Sequence, residues 1–135
     1  MLHFLLVEDN PGDVLLLREA LRASSVSADV VIAYDGEQAE RFLEELGDIA
    51  LVVLDLNLPK VNGFEILEHY RAKHGQPLPS VIVLTGSENP VDEKRARELG
   101  ASDYLIKPTG CDAFVAGVKS MIERWSSRAD SAAVS

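Results

Sequence analysis

Short apolar runs alternate with segments of helical periodicity along this chain. The apolar runs, each bounded by turn residues, predict five strands at 2–7, 29–33, 50–54, 80–84 and 102–106. The third run, Ala-Leu-Val-Val-Leu, has no polar position, which is typical of a parallel strand buried on both faces. The pattern therefore favours an inner sheet with helices packed on both of its faces.

The first predicted helix has clear signals at its start. It is expected from Pro11 to Ala23, because the Asn10 side chain can cap it and proline suits the first helical position. Asp13 falls in the first turn, where an acid faces the positive end of the helix dipole. The same order of cap, proline and acid recurs at 89–92, so the fourth helix is expected to begin there.

The other helices are predicted from apolar residues at helical spacing. The second and third begin after turn residues at 35–36 and 62–63. The fifth is expected from about Cys111 to Trp125, and Trp125 is a candidate dimer contact at the end of a broad apolar face. The small, polar residues 126–135 are expected to form a short disordered tail, which leaves residues 1–125 as the folded domain.

Five strands that alternate with five helices make a (βα)₅ chain of the α/β class. We predict a flavodoxin-like, doubly wound parallel sheet with strand order 2-1-3-4-5. In this order the first and third strands are neighbours, and their carboxyl ends bring together Glu8, Asp9 and Asp55. Thr85 and Lys107 end the fourth strand and follow the fifth at the same rim, where such folds bind their ligands.

Three carboxylates at one rim predict a site for a divalent cation. At about 4 Å and an effective dielectric constant near 20, each like-charge pair costs on the order of 4 kcal/mol. Mg²⁺ suits such a site, because it prefers oxygen ligands and binds one or two carboxylates together with phosphate oxygens. The backbone carbonyl of Asn57 is a further candidate ligand. No cysteine or histidine follows these strands, which disfavours zinc and copper.

The same residues fit the chemistry of phosphoryl transfer. Asp55 is the candidate nucleophile, since carboxylates are ordinarily ionised at neutral pH. The metal and the Lys107 ammonium would balance the charge of the phosphoryl oxygens, and the Thr85 hydroxyl can donate to one of them. All these side chains therefore serve one reaction.

Composition disfavours several other classes of function. A net charge of −9 argues against a nucleic-acid partner, because that binding depends on clustered lysine and arginine. The single cysteine excludes an internal disulfide, and no glycine-rich phosphate loop follows a predicted strand. No segment reaches the roughly 20 apolar residues of a membrane span, and the N-terminal apolar run is too short for a signal peptide. We expect a cytoplasmic protein without membrane contact.

The chain resembles the receiver domains of response regulators over about residues 2–125. Six motifs carry the resemblance, namely Val-Glu-Asp-Asn at 7–10, Leu-Asp-Leu-Asn-Leu-Pro at 54–59, Asn-Gly at 62–63, Leu-Thr-Gly at 84–86, Gly-Ala at 100–101 and Asp-Tyr-Leu-Ile-Lys-Pro at 103–108. Each motif is weak alone, but together and in this order they are highly specific. The first two motifs are most similar to single-domain receivers, including those paired with bacteriophytochrome kinases.

The resemblance implies that Asp55 accepts a phosphoryl group from a sensor histidine kinase, with Glu8 and Asp9 binding Mg²⁺. The departures from the family pattern are mild. The acidic pair is often Asp-Asp, and the positions of Asn62 and Leu58 are commonly Asp and Met. None of these changes removes a reacting group, so we expect an active site.

The resemblance also implies a conformational switch. Thr85 is expected to move towards the phosphoryl group while Tyr104 turns inward, and the Gly86 backbone is expected to contact the phosphoryl oxygens. In the family the peptide bond between Lys107 and Pro108 is typically cis, a geometry that only proline makes cheap.

We therefore expect a stand-alone receiver in a two-component phosphorelay, which catalyses only its own phosphorylation and dephosphorylation. Its output would be protein–protein contact, including homodimerisation through the face of the fourth helix, fifth strand and fifth helix. Two alternatives stay open: a phosphate-independent adaptor, and a Mg²⁺-dependent hydrolase with an aspartyl-phosphate intermediate. The hydrolase is disfavoured because Asn57 stands where such enzymes tend to need a second acid.

Overall fold

The computed structural model describes residues 2–46, 48–78 and 80–134, with side chains described between 3 and 126 within those ranges. Strands and helices alternate in the order β1 (Leu2–Val7), α1 (Pro11–Ala23), β2 (Ala28–Ala33), α2 (Gly36–Glu45), β3 (Leu51–Leu54), α3 (Gly63–His74), β4 (Val81–Thr85), α4 (Pro90–Glu98), β5 (Asp103–Ile106) and α5 (Cys111–Val134).

All neighbouring strands of the sheet are parallel, and their order is β2-β1-β3-β4-β5. This confirms the predicted flavodoxin-like topology. Val7 pairs with both Ala33 and Leu54, while Thr85 pairs with Ile106. The register therefore aligns the carboxyl ends of β1, β3, β4 and β5 along one rim.

Two apolar cores cover the two faces of the sheet. Alternate residues of β1 point to opposite sides, as the period of two in a strand requires, with Phe4 in one core and Leu5 in the other. Leu17 of α1 and Ile122 of α5 pack in the first core, and Ile66 of α3 packs in the second. Burial of each large side chain contributes about 2 kcal/mol, so both faces hold the rim in place.

Three helix starts follow the sequence signals. The Asn10 Oδ1 atom accepts a hydrogen bond from the Asp13 backbone N–H (3.1 Å), which caps α1. Asn62 and Glu65 form a reciprocal capping box at the start of α3. Asp35, predicted to lie in a turn, caps α2 through the Gln38 backbone N–H (2.8 Å).

Helix α5 is longer than the sequence analysis predicts. It continues to Val134 instead of ending at Trp125, so residues 126–134, expected as a disordered tail, are helical. The physical reason is local: this segment contains no glycine or proline and includes three alanines, so no residue in it breaks a helix. Trp125 packs against the first core, and its indole N–H donates to Asp103 Oδ2 (3.2 Å).

The structure also bears on the membrane expectation. Within the ranges given above, no helix is both long and apolar enough to cross a bilayer.

A substitution of Gly36 tests the packing of α2 against the loop that follows β3. A Cβ atom there would lie 1.8 Å from the Val61 carbonyl oxygen. Gly36→Ala must therefore shift backbone, and we expect the free energy of unfolding in urea to fall by about 3 kcal/mol. Gly86→Ala is the control, because no described atom lies within 4 Å of a Cβ built there. Its effect should stay within about 1 kcal/mol, and equal effects would contradict this packing.

Candidate functional site

The acids predicted from the strand ends meet in one cluster. Glu8, Asp9 and Asp55 each offer a carboxylate oxygen, and these oxygens all lie within 4.8 Å of one another. The backbone explains the convergence, because the sheet ladder continues into the acids. The Glu8 N–H donates to the Ala33 carbonyl (3.0 Å), and the Asp55 N–H donates to the Val7 carbonyl (3.1 Å).

A lysine is the cation of the rim. The Lys107 N–H donates to the Thr85 carbonyl (2.7 Å), which fixes the residue just beyond β5. Its Nζ atom lies 3.0 Å from both Glu8 Oε2 and Asp55 Oδ2, and 2.7 Å from Asp13 Oδ2. Burial alone lowers the pKa of Lys107, but hydrogen bonds to the three carboxylates outweigh burial and raise it above its usual value. Lys107 therefore stays charged.

Burial makes Glu8 the unusual acid of the cluster. Its residue is 1% exposed, and Asp55 is 5% exposed, whereas Asp9 is open to solvent. Desolvation, followed by the nearby charge of Asp55, raises the pKa of Glu8 to about 7. The single ammonium of Lys107 does not neutralise the three carboxylates of the cluster. The site therefore favours either a proton on Glu8 or the binding of a further cation.

The donor set fits a hard divalent cation. Three carboxylates supply only oxygen ligands, and the exposed Asp9 gives an ion access from solvent. Asn57 lies beside the cluster, because its backbone N–H donates to Asp55 Oδ1 (3.1 Å). The role of its carbonyl as a ligand stays a prediction. When bound, Mg²⁺ would neutralise charge on phosphoryl oxygens at this rim.

The two predicted switch residues meet through the loop between β4 and α4. Thr85 is fully buried, and its Oγ1 atom accepts a hydrogen bond from the Ser87 N–H (3.4 Å). The half-buried Tyr104 donates its hydroxyl to the Ser87 carbonyl (3.2 Å). The Ser87 hydroxyl donates to Asp92 Oδ2 (2.5 Å), which ties the loop to α4. Gly86, between Thr85 and Ser87, is exposed at the rim.

One expectation from the resemblance is wrong for this structure. Among the peptide bonds described, none is cis, so the bond between Lys107 and Pro108 is trans. The trans isomer is the favoured one even before proline, by about 0.5–1 kcal/mol in simple chains. Lys107 makes its three carboxylate contacts with the bond in this form.

Asp13 joins the site although the sequence analysis assigned it only to the helix dipole. Its carboxylate makes the shortest of the Lys107 contacts. A signal was present in the sequence, because α1 follows β1 and its first turn therefore lies at the same rim as Lys107. Asp13 both lies in the first turn of α1 and faces the rim, and the sequence analysis considered only the first of these two positions.

A comparison with known families decides what kind of domain this is. The model of the response regulator receiver domain matches residues 4–119. The chain belongs to the response-regulator receiver family. This confirms the family resemblance, and it makes the chain a receiver domain of two-component signalling.

Curated relatives of this receiver include a transcriptional regulatory protein and a response regulator. It is 38% identical over 128 residues to the transcriptional regulatory protein CpxR of Escherichia coli, covering 93% of this chain and 52% of CpxR. The chain thus spans about half the length of the curated relatives it matches first. It is 37% identical over 109 residues to response regulator Rcp1 of Synechocystis, covering 76% of this chain and 74% of Rcp1.

Two solved receivers share its architecture over 93% of this chain and 94% of theirs, each at 32% identity. One is the Mn²⁺-bound form of Rcp1, with a TM-score of 0.81. The other is the phosphorylated cyanobacterial phytochrome response regulator RcpA, with a TM-score of 0.83. The first of these neighbours binds a divalent cation and the second carries a phosphoryl group.

The raised pKa of Glu8 predicts how stability depends on pH in the metal-free receiver. Between about 4.5 and about 7 the folded protein keeps a proton on Glu8 that the unfolded chain has released. Stability should therefore fall as pH rises through this window, by on the order of 3 kcal/mol. Urea unfolding at pH 5, 6, 7 and 8 with a chelator measures it.

Glu8→Gln is the variant that isolates this effect. It should remove most of the fall across the window and be more stable than the wild type at pH 8. Asp55→Asn should give an intermediate slope, because the Asp55 charge is the second cause of the raised pKa. A wild-type slope retained in Glu8→Gln would show that another group titrates.

Proposed function

We propose that this receiver is a single-domain response regulator that accepts a phosphoryl group on Asp55 from a sensor histidine kinase, with Mg²⁺ as cofactor. The observation that carries the proposal is the environment of Asp55. Its buried carboxylate contacts the Lys107 ammonium at 3.0 Å and shares a cluster of oxygen ligands with Glu8 and Asp9. A nucleophile, a fixed cation and a metal-ligating set thus occupy one rim.

The reaction is a displacement at phosphorus. One carboxylate oxygen of Asp55 forms the new O–P bond while the P–N bond to the kinase histidine breaks. The electron pair of that bond stays on the imidazole nitrogen, which takes up a proton from water. A carboxylate oxygen carries no proton, so Asp55 can attack as a carboxylate without a general base.

The other side chains of the rim stabilise the charge of the transferred group. The Lys107 ammonium already lies at Asp55 and can donate to a phosphoryl oxygen once it releases or shares one of its carboxylate contacts. The hydroxyl of Thr85, which ends β4 at the same rim, can donate to a second oxygen, because Oγ1 only accepts in its contact with the Ser87 N–H. The exposed Gly86 backbone offers an N–H group beside it.

The same contacts supply the switch. Because Ser87 bonds both Thr85 and Tyr104, a movement of Thr85 towards the phosphoryl group disturbs the hydrogen bond of the Tyr104 hydroxyl. The phosphoryl group thus biases a two-state element on the face formed by α4, β5 and α5. Two apolar residues on these elements are exposed, Val91 (67%) and Ile106 (39%), and they suit a homodimer contact on this face.

The kinase partner is proposed from the relatives. RcpA is a phytochrome response regulator, and 93% of this chain superposes on 94% of RcpA. We therefore propose a histidine kinase of the phytochrome type as the phosphoryl donor, and protein–protein contact as the output.

Acetyl phosphate tests the acceptor chemistry without the kinase. Intact-protein mass after incubation with acetyl phosphate and MgCl₂ should increase by one phosphoryl group. Asp55→Asn should show no increase, because the amide is not a nucleophile at this site. A chelator should suppress the reaction by at least tenfold, since the crowded carboxylates then oppose an anionic donor. An adduct on Asp55→Asn, or none on folded wild-type protein, would contradict the proposal.

Hydrogen exchange tests the switch. With beryllofluoride and MgCl₂ as a phosphoryl mimic, we expect amide exchange at 86–89 and 103–106 to change severalfold. Exchange in α2, which lies on the far edge of the sheet, should not change, and Asp55→Asn should abolish the response. Unchanged exchange on the α4, β5 and α5 face would refute the proposed readout.

A further inference from the structure

We propose that Asp13 is a positioning residue for Lys107, and that it holds the ammonium at the rim while the phosphoryl group is transferred to Asp55. This inference rests on the proposed function. It adds to that function a fourth acid, which lies outside the cluster of Glu8, Asp9 and Asp55.

The Lys107 ammonium has a full set of carboxylate partners. An ammonium has three N–H donors, and Nζ has three carboxylate oxygens at hydrogen-bond distance. These are Asp13 Oδ2 at 2.7 Å, Glu8 Oε2 at 3.0 Å and Asp55 Oδ2 at 3.0 Å. Each donor thus has its own partner, and the shortest contact is to the acid that does not belong to the metal-ligating set.

The three carboxylate partners of Lys107 have different roles during the reaction. Asp55 Oδ2 and Glu8 Oε2 belong to residues that the proposed chemistry engages elsewhere, the first with phosphorus and the second with the cation. Lys107 then has to release or share these contacts while it turns a donor to a phosphoryl oxygen. Asp13 has no other task in the reaction, so its contact can persist throughout and limit the motion of a long, flexible side chain.

Asp13 is itself held in place by the start of α1. It lies in the first turn of α1, where its own backbone N–H is fixed by the Asn10 cap (3.1 Å), and its carboxylate is half-buried. The helix in turn is fixed by Leu17 in the core. A rigid helix therefore carries the carboxylate that orients Lys107, as a positioning group requires.

Asp112 provides a matched control within the chain. It is also an acid in the first turn of a helix, α5, which begins at the same rim. Among the described side chains it is not a partner of Lys107. If Asp13 acts only through the helix dipole or the net charge of the rim, then Asp13→Asn and Asp112→Asn should have equal effects.

The rate of phosphorylation by acetyl phosphate at saturating MgCl₂ tests the proposal. We expect Asp13→Asn to lower the maximum rate about fivefold, since the ion pair with the Lys107 ammonium is replaced by a weaker hydrogen bond to a neutral acceptor. Asp13→Glu should restore part of the rate because it keeps the charge. Asp112→Asn should react at the wild-type rate. The maximum rate is the informative quantity, since a change confined to the half-saturating acetyl phosphate concentration would reflect only the reduced negative charge of the rim and would overturn the role of Asp13.

Urea unfolding without metal provides a second measurement that does not depend on activity. Asp13→Asn should lower the unfolding midpoint in the wild-type background and much less in the Lys107→Met background, because the contact is already absent there. Equal shifts in both backgrounds would show that Asp13 stabilises the fold without acting through Lys107.

The outcomes separate this inference from the proposed function. A wild-type adduct together with an unchanged maximum rate in Asp13→Asn overturns the role of Asp13 alone. Equal losses in Asp13→Asn and Asp112→Asn overturn it as well. No adduct on folded wild-type protein overturns both proposals.

Discussion

Crowded negative charge at the end of a parallel sheet is the constraint on which this structure depends. Glu8, Asp13 and Asp55 lie around one ammonium, that of Lys107, and Asp9 joins Glu8 and Asp55 in the carboxylate cluster. Glu8 and Asp55 are almost fully buried. Burial first, and the nearby charge of Asp55 second, raise the pKa of Glu8, and the single ammonium leaves part of the negative charge unbalanced. A rim that is strained when empty of further cations is also a rim that attracts them, so the same imbalance serves both chemistry and regulation.

Most of the fold could be predicted from the sequence because its signals are local and agree with one another. The β3 run is wholly apolar, Asn10 and Asn62 cap the helices they precede, and the crossover rule leaves few sheet orders. Asp55 and Lys107 could be placed together because both follow strands of a parallel sheet, so that topology alone brings them to one rim.

What the sequence could not supply are contacts set by side-chain reach. The topology brings the first turn of α1 to the rim where Lys107 lies, but whether Asp13 contacts Lys107 depends on the reach of both side chains. The contact of Tyr104 with Ser87 depends on side-chain reach in the same way. The end of α5 differs from the prediction for another reason: a run of small and polar residues without glycine or proline is compatible with a helix as well as with a coil.

The chain contains one tryptophan, and its position has an experimental consequence. Trp125 of α5 donates to Asp103, whose neighbour along β5 is Tyr104. The Asp103 carboxylate also forms ion pairs with the guanidinium groups of Arg97 of α4 (3.8 Å) and Arg124 of α5 (3.4 Å). The indole of Trp125 therefore lies where α4, β5 and α5 meet, and these are the three elements that we assign to signalling. Its emission gives the unlabelled protein an optical reporter, far from the acids that start the signal.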